Sequence, residues 1–373
     1  AHLLAALPPA ALATSDFART PVGDGPFKWV RGVAGQVVEL AANRDYFLGA
    51  PKLDRVIFRA SADGDTRMTL LLSGEGDALE NILPLTNQDR VRADSDLRLL
   101  AVPTFMVGYF LYNQRDPADH AKPHPIFADR GVRRALTLAL DRETMARSVF
   151  GPAVQVPIGP ASLSLWVHLP EPAARQDTAA ARALLRTAGW TDHDGDGILD
   201  KDGRPLAFTI LFPAVSAARR QVALQAQASW KAIGADVTLE SVDFATYLDR
   251  RRNNRFDVDV SAVVQDPSPT GLIQSWTCAS MGGANVASYC DPVVDSLIAA
   301  ATLSSNSLPL WRQVLRTIDA DAPAAFIFAP TAMIAVHRRY RSVVLHPESL
   351  WSGLGEWSVA PGQQLPRDRD ADR

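Results

Sequence analysis

Between residues 205 and 242 the chain spells a strand, a helix and a second strand in immediate succession. That ordering constrains the fold more than any other feature. PLAFTILF, residues 205–212, is a run of β-branched and aromatic residues. The segment from Ser216 carries Val222, Ala226, Trp230 and Ile233 on one helical face and stops at Gly234; ADVTLESV, residues 235–242, follows at once. Helix and strand signals alternate through most of the sequence, which argues for an α/β architecture and against a bundle or a sandwich. Asp129 and Asp141 stand as N-caps before VRRALTLAL and RETMARSVF, and TAAARALLRTA ends at Gly189, a residue suited to the left-handed position after a helix. FDVDVSAVV alternates Phe256, Val258 and Val260 with Asp257 and Asp259, the period-two pattern of a half-buried strand. Asp291-Pro292 opens another helix, and a last amphipathic one carries Trp311, Val314, Leu315 and Ile318 before the apolar run AAFIFAPTAMIAVH.

At 373 residues, 47% hydrophobic and 21% charged, the chain has room for two domains or one large one. A net charge of −3 provides no global attraction for nucleic acid or anionic lipid, and the run Arg250-Arg251-Arg252 reads as a solvated helix face. No apolar stretch approaches the roughly 18–20 residues that a membrane-spanning helix needs. The opening AHLLAALPPAALATS is interrupted by Pro8-Pro9 and lacks a basic flank, so it reads as mature sequence and not as a signal peptide.

The residue constellations of common enzymes are missing: the sequence contains no GxSxG, HExxH, GxxxxGK[ST] or GxGxxG motif. The chain is therefore expected not to be an enzyme and to use no cofactor. Of seven histidines only His120 and His124 lie close together, in a Pro-rich loop where exposure is expected. Asp192, Asp194 and Asp196 in TDHDGDGILDKDG begin like a calcium loop, but the twelfth position, which calls for a bidentate Glu, is Gly203. Asp200 at the ninth position leaves room for a weak, water-completed calcium site. The competing reading is a tight turn at a hairpin tip, since Asp and Gly clusters between apolar runs ordinarily mark one. Cys278 and Cys290 belong to no CxxC pair and have no His at zinc spacing. They are read either as a disulfide, worth about 3 kcal/mol in the chain-entropy model and implying an oxidising compartment, or as two unpaired buried thiols.

RTPVGDGPFKWVRGVAGQVVELAANRDYFLGAPKLDRVIFR, residues 19–59, closely resembles a hallmark region of the family-5 extracellular solute-binding proteins, the receptors of peptide and nickel ABC importers. The family's PVGxGPY-like turn, Asn-x-x-Tyr-Trp, Gly-x-Pro and Leu-Asp-x-Val are matched at Pro21 to Phe27, Asn43 to Phe47, Gly49 to Pro51 and Leu53 to Ile57, with Phe27 and Phe47 replacing the commoner Tyr and Trp. The resemblance continues through LLSGEGDAL, YFLYN, GVRRALTLALDRETM, GWTDHDGDGILDKDGRPL and ASYCDPVVDSLIAAA, from His2 to about Ser358. Within this family the Asp-rich hairpin is common in members that are not calcium sensors. Family chains carry a further stretch before the segment matched by Ala1 to Leu4, so the sequence resembles a member lacking its early strands and a small extra domain.

The resemblance implies a type II periplasmic-binding-protein-like fold: two α/β lobes with mixed sheets flanked by helices, joined by a hinge. Lobe I would comprise residues 1–112 and 334–373, lobe II residues 113–333, with hinges near Asn113 and Thr331 to Val336; residues 363–373 read as a disordered tail. The implied function is capture of a small peptide or similar amine-bearing solute, by a monomer outside the cytoplasm, periplasmic or extracellular and open to lipoprotein tethering, for delivery to a membrane permease. A non-transport binder, or a member specific for nickel chelate, sugar or haem, is the alternative. Gln265-Asp266 falls at the carboxyl end of the FDVDVSAVV strand, where ligands of α/β folds sit, and Asp266 aligns with the Asp that holds the ligand's α-amino group in peptide-binding relatives. Its competing role is turn former before Pro267. The Trp those relatives place three residues earlier is Val263 here, and their carboxylate-binding Arg is matched by Arg251, with Arg252 and Arg255 as neighbouring alternatives. Trp276, Tyr109 and Tyr112 complete the candidate ligand contacts, each against a competing role in the core.

Overall fold

The structure is a computed structural model that describes residues 3–5, 7–61 and 63–369. The chain forms two compact units, one of Ala1–Val102 with Ala332–Arg373, the other of Pro103–Thr331. In the first, β1 (Phe27–Val33), β2 (Val37–Ala42) and β3 (Arg55–Arg59) form an antiparallel meander with an irregularity between Trp29 and Arg31. The buried Glu39 of β2 takes Arg31 at 2.7 Å and Arg55 at 3.0 Å, one from each neighbouring strand. The helix Gly64–Leu72, capped by Asp63, then leads to β4 (Ala78–Leu79), the helix Leu85–Ala93 and β5 (Leu97–Pro103).

The second unit is built on a five-stranded sheet. Its strands are β6 (Met106–Tyr112), β9 (Ala207–Pro213), β10 (Asp236–Val242), β11 (Val258–Val264) and β12 (Ala324–Phe328), while β7 (Asp200–Lys201) and β8 (Arg204–Pro205) form a separate hairpin. The order is β10-β9-β11-β6-β12, with β10, β9 and β11 parallel and β6 antiparallel to both of its neighbours, so the sheet is mixed. The helix Ala217–Lys231 is the crossover between β9 and β10, as the strand–helix–strand reading requires. Both faces are covered. Phe110 and Tyr112 of β6 point into one core with Leu136, Phe208 and Trp230, and Val107, Tyr109 and Leu111 point into another with Trp276, Trp311 and Phe326. The Trp230 indole N–H donates to the carbonyl of Leu136 at 2.8 Å, which satisfies its one polar group inside the apolar layer. Where β6 meets β12 only glycine fits, because a Cβ on Gly108 would stand 2.0 Å from the Phe328 ring.

The helix ends follow the residues that mark them. Asp129, Asp141, Asp177, Ser216 and Asp291 each accept a backbone N–H of the first turn of their helix, and Gly189 takes φ +88° after Thr178–Thr187. Cys278 and Cys290 are joined, with Cα atoms 4.4 Å apart, so the unpaired-thiol alternative falls. No helix of the described residues is long and apolar enough to cross a membrane.

After Ala329-Pro330 the apolar run AAFIFAPTAMIAVH re-enters the first unit as β13 (Thr331–His337), which lies between β4 and β5. There β14 (Tyr340–Arg341) pairs with β15 (Ser358–Val359). Two expectations change. The division falls at Val102/Pro103, not after residue 112: β6 is an inner strand of the second sheet, and Asn113 is fully buried there, donating to the carbonyls of Asn254 at 2.9 Å and Phe256 at 2.8 Å. The tail from Gln363 is not featureless, since Pro366–Arg369 is helical and Asp368 pairs with the buried Arg339, which also holds Asp77 at 2.7 Å. The rest of that tail, residues 370–373, lies outside the described residues.

Candidate ligand-binding site

β11 and β12 run parallel to each other on either side of β6, so both finish where β6 begins. At that end the Gln265 amide N–H donates to the carbonyl of Phe105 at 2.9 Å, one step beyond the last ladder pair. The Gln265 side chain turns toward the segment 160–162: its Oε1 accepts the Ser162 N–H at 2.7 Å and its Nε2 donates to the carbonyl of Pro160. Ser164 Oγ donates to the carbonyl of Thr104 at 2.8 Å, and Thr104 Oγ1 to that of Pro330 at 2.7 Å. Gln265 is thus a staple that fixes a loop to the strand end, with both side-chain polar atoms already engaged by that loop. The Ser162 hydroxyl beside it is buried without a partner among the described residues.

Asp266 is different. It is exposed, and among the described residues nothing forms a hydrogen bond or ion pair with it. Pro267 ends the ladder behind it, and a Cβ on Gly271 would lie 3.6 Å from its Oδ2, so the turn approaches the carboxylate closely and leaves it unpartnered.

The other candidate residues are not brought to it. Tyr109 and Tyr112 lie three apart on one strand, and a period of two sends them to opposite faces. Tyr109 meets Trp276 and Phe326 edge-on at ring distances of 6.0 and 5.7 Å, while Tyr112 stacks on Phe127 at 5.4 Å. Burial pushes both phenols up. Trp276 is buried with Tyr109, Tyr289 and Phe326, so these three aromatic candidates are core residues. Arg251 does not point a free guanidinium outward: its Nε lies 2.8 Å from Oδ2 of the fully buried Asp259. Burial pulls the guanidinium down, and the Asp259 charge with the neighbouring phenols outweighs it, so the net shift is upward and Arg251 is held charged.

His124, expected on the surface, is buried. Its Nδ1 accepts the N–H groups of Ile126 and Phe127 at 3.1 and 3.0 Å, which places the proton on Nε2, where it donates to Asp257 Oδ1 at 3.1 Å. Asp257 also borders a pocket of about 240 Å³ with Thr209, Glu240, Arg250 and Arg255, at the opposite end of the sheet from Asp266. Charges there are already paired, Glu240 with Arg250 at 2.5 Å and Arg255 with Asp249.

In the Asp-rich hairpin, carboxylate oxygens of Asp192, Asp194 and Asp196 lie within 4.8 Å of one another, all on exposed residues. They are engaged by the loop's own amides, Gly195 and Gly197 on Asp192 and Ile198 on Asp196. Asp200 turns away to His193 at 2.7 Å, so the fourth expected oxygen does not join them.

A mixed sheet covered on both faces is an α/β architecture, and the comparisons with known proteins say which class of that architecture this is. Residues 1–283 match the family described as bacterial extracellular solute-binding proteins, family 5 Middle, and the chain belongs to that family. It is 27% identical over 370 residues to the oligopeptide-binding protein AppA of Bacillus subtilis (strain 168), covering 96% of this chain and 66% of that protein. It is 28% identical over 342 residues to the probable di/tripeptide-binding protein 5 of Pseudomonas aeruginosa (strain UCBPP-PA14), covering 88% of this chain and 60% of the relative. The chain therefore spans less than two thirds of either relative's length. The solved structure of Bacillus subtilis AppA in complex with a nonapeptide superposes with a TM-score of 0.83 at 26% identity, over 96% of this chain and 71% of that one. NikZ from Campylobacter jejuni in complex with Ni(L-His), at TM-score 0.81, 20% identity and coverages of 93% and 70%, shares the fold. The fold is that of the type II periplasmic binding proteins.

Proposed function

We propose that this chain is the solute-binding component of an ABC importer and captures small peptides or similar amine-bearing solutes for a membrane permease. Family membership and the peptide-binding relatives support the class. The observation that carries the ligand chemistry is the unpartnered carboxylate of Asp266 at the carboxyl end of β11. An ammonium brought to it makes a charge-assisted hydrogen bond, about twice as strong as a neutral one. The 278–290 disulfide supports work in an oxidising compartment, periplasmic or extracellular. The chain crossings at Val102/Pro103 and Thr331/Ala332 are where a hinge of this family would lie. Ligand binding leaves the solute chemically unchanged on this reading, and no residue is assigned a catalytic role.

Calorimetric titration with short peptides tests the proposal. Asp266→Ala should weaken binding at least tenfold, about 1.5 kcal/mol, with the melting temperature unchanged. Equal affinity for an N-acetylated and a free-amine peptide would remove Asp266 from the role.

A further inference from the structure

Trp166 alone among the eight tryptophans is half open to solvent, at 50% exposure. It has neither a hydrogen bond nor a ring contact among the described residues. This is not the looseness of an unanchored loop. Its neighbours Leu165 and Val167 are fully buried in the core shared with Tyr109 and Trp276, so the backbone on either side is fixed while the indole is turned out. The segment turns back on itself, Leu165 N–H to the Ser162 carbonyl at 3.1 Å, and Ser162 is the residue held by Gln265, the immediate neighbour of Asp266. Ser164 ties the same segment to Thr104 at the start of β6. A large apolar face and a free carboxylate are thus anchored through one staple at one end of one sheet. Trp166 follows Ser162 by four residues, which at about 3.3–3.6 Å per residue bounds its backbone at about 14 Å from the Gln265 staple, a span that a short extended peptide covers.

We infer that Trp166 is a specificity-determining residue: its indole is the wall against which an apolar side chain near the amino end of an Asp266-bound peptide packs. The inference rests on the peptide reading above and adds a preference to it. Two facts support that occupant. Because Leu165 and Val167 already hold the backbone, covering the indole costs only its own rotamer freedom and no backbone ordering, so less of the gain is lost than on a loose loop. The adjacent carboxylate selects a cationic group, so the ligand must join an ammonium to an apolar side chain within a few residues, which a peptide with an apolar residue near its amino end does.

The test compares trileucine with triglycine by calorimetry on the complete chain, unaltered and as Trp166→Ala and Trp166→Phe. The unaltered protein should prefer trileucine, and Trp166→Ala should lose about five- to tenfold in trileucine affinity while binding triglycine as before. Trp166→Phe should recover most of the preference. Equal loss for both peptides, or no loss for either, overturns the inference and leaves the peptide reading standing. If the unaltered chain binds neither peptide, the peptide reading falls and this inference falls with it.

Discussion

The guanidinium of Arg251 and the carboxylate of Asp259 form an ion pair at 2.8 Å, with Asp259 wholly inside the unit. Among the described residues the second carboxylate oxygen of Asp259 has no hydrogen-bond partner, so the pair is the main compensation for burying that charge. Arg251→Ala should therefore cost about 3–5 kcal/mol of stability, measured by urea unfolding, because it strands a buried charge. Replacing both residues by Met and Leu should cost less than the single change. If Arg251 served a ligand instead, its loss would weaken binding and leave unfolding unaltered.

The disulfide closes the segment between Cys278 and Cys290. Changing both cysteines to serine should lower stability by about 3 kcal/mol on the chain-entropy account. A thiol reductant should lower the melting temperature of the unaltered protein and leave that of the double variant where it is.

Gly108 faces the Phe328 ring with no room for a methyl group. Gly108→Ala should destabilise by about 1–3 kcal/mol through overpacking. In a Phe328→Leu background the same change should cost less, and a double-mutant cycle by chemical denaturation reads that coupling directly.

Asp319, at the end of the helix Leu308–Asp321, has its carboxyl pushed up from the usual range by burial, against the opposing pull of Arg142 and the Gly159 N–H it accepts. A folded-state value above the unfolded one means that its contribution is present below the unfolded value and is lost as pH rises through the folded one. Asp319→Asn, which can still accept the Gly159 N–H, should match the unaltered protein below about pH 3.8 and exceed it in stability toward neutrality. Paired denaturation curves across pH check the sign; a variant less stable at neutral pH would reverse it.

Much of the architecture was legible because its signals are local. Asp129, Asp141 and Asp291 each precede the helix they cap by one residue, and the strands flanking Ser216–Gly234 needed only periodicity to be seen. The site was less legible, for reasons that differ by residue. Alternation along β6 already separates Tyr109 from Tyr112, so one cleft could not have taken both, and that signal was in the sequence. Arg251 and Asp259 belong to a helix and the next strand, and nothing in their spacing announces that they meet. His124 lies in a Pro-rich loop, and the acceptor that its buried Nε2–H meets, Asp257, is far along the chain. Trp166 carried no signal either: LSLWVH shows no clean period, and its exposure follows from where Leu165 and Val167 are anchored.

The place of β6 in its sheet also orders events in time. The strand spans Met106–Tyr112, yet its two partners are Val258–Val264 and Ala324–Phe328, and β13 of the other unit comes later still. A ribosome delivering this polypeptide releases the inner strand long before either flank exists, and such distant pairings close slowly. The five-stranded sheet therefore cannot be completed until Ala324–Phe328 has left the ribosome, about two hundred residues after its inner strand.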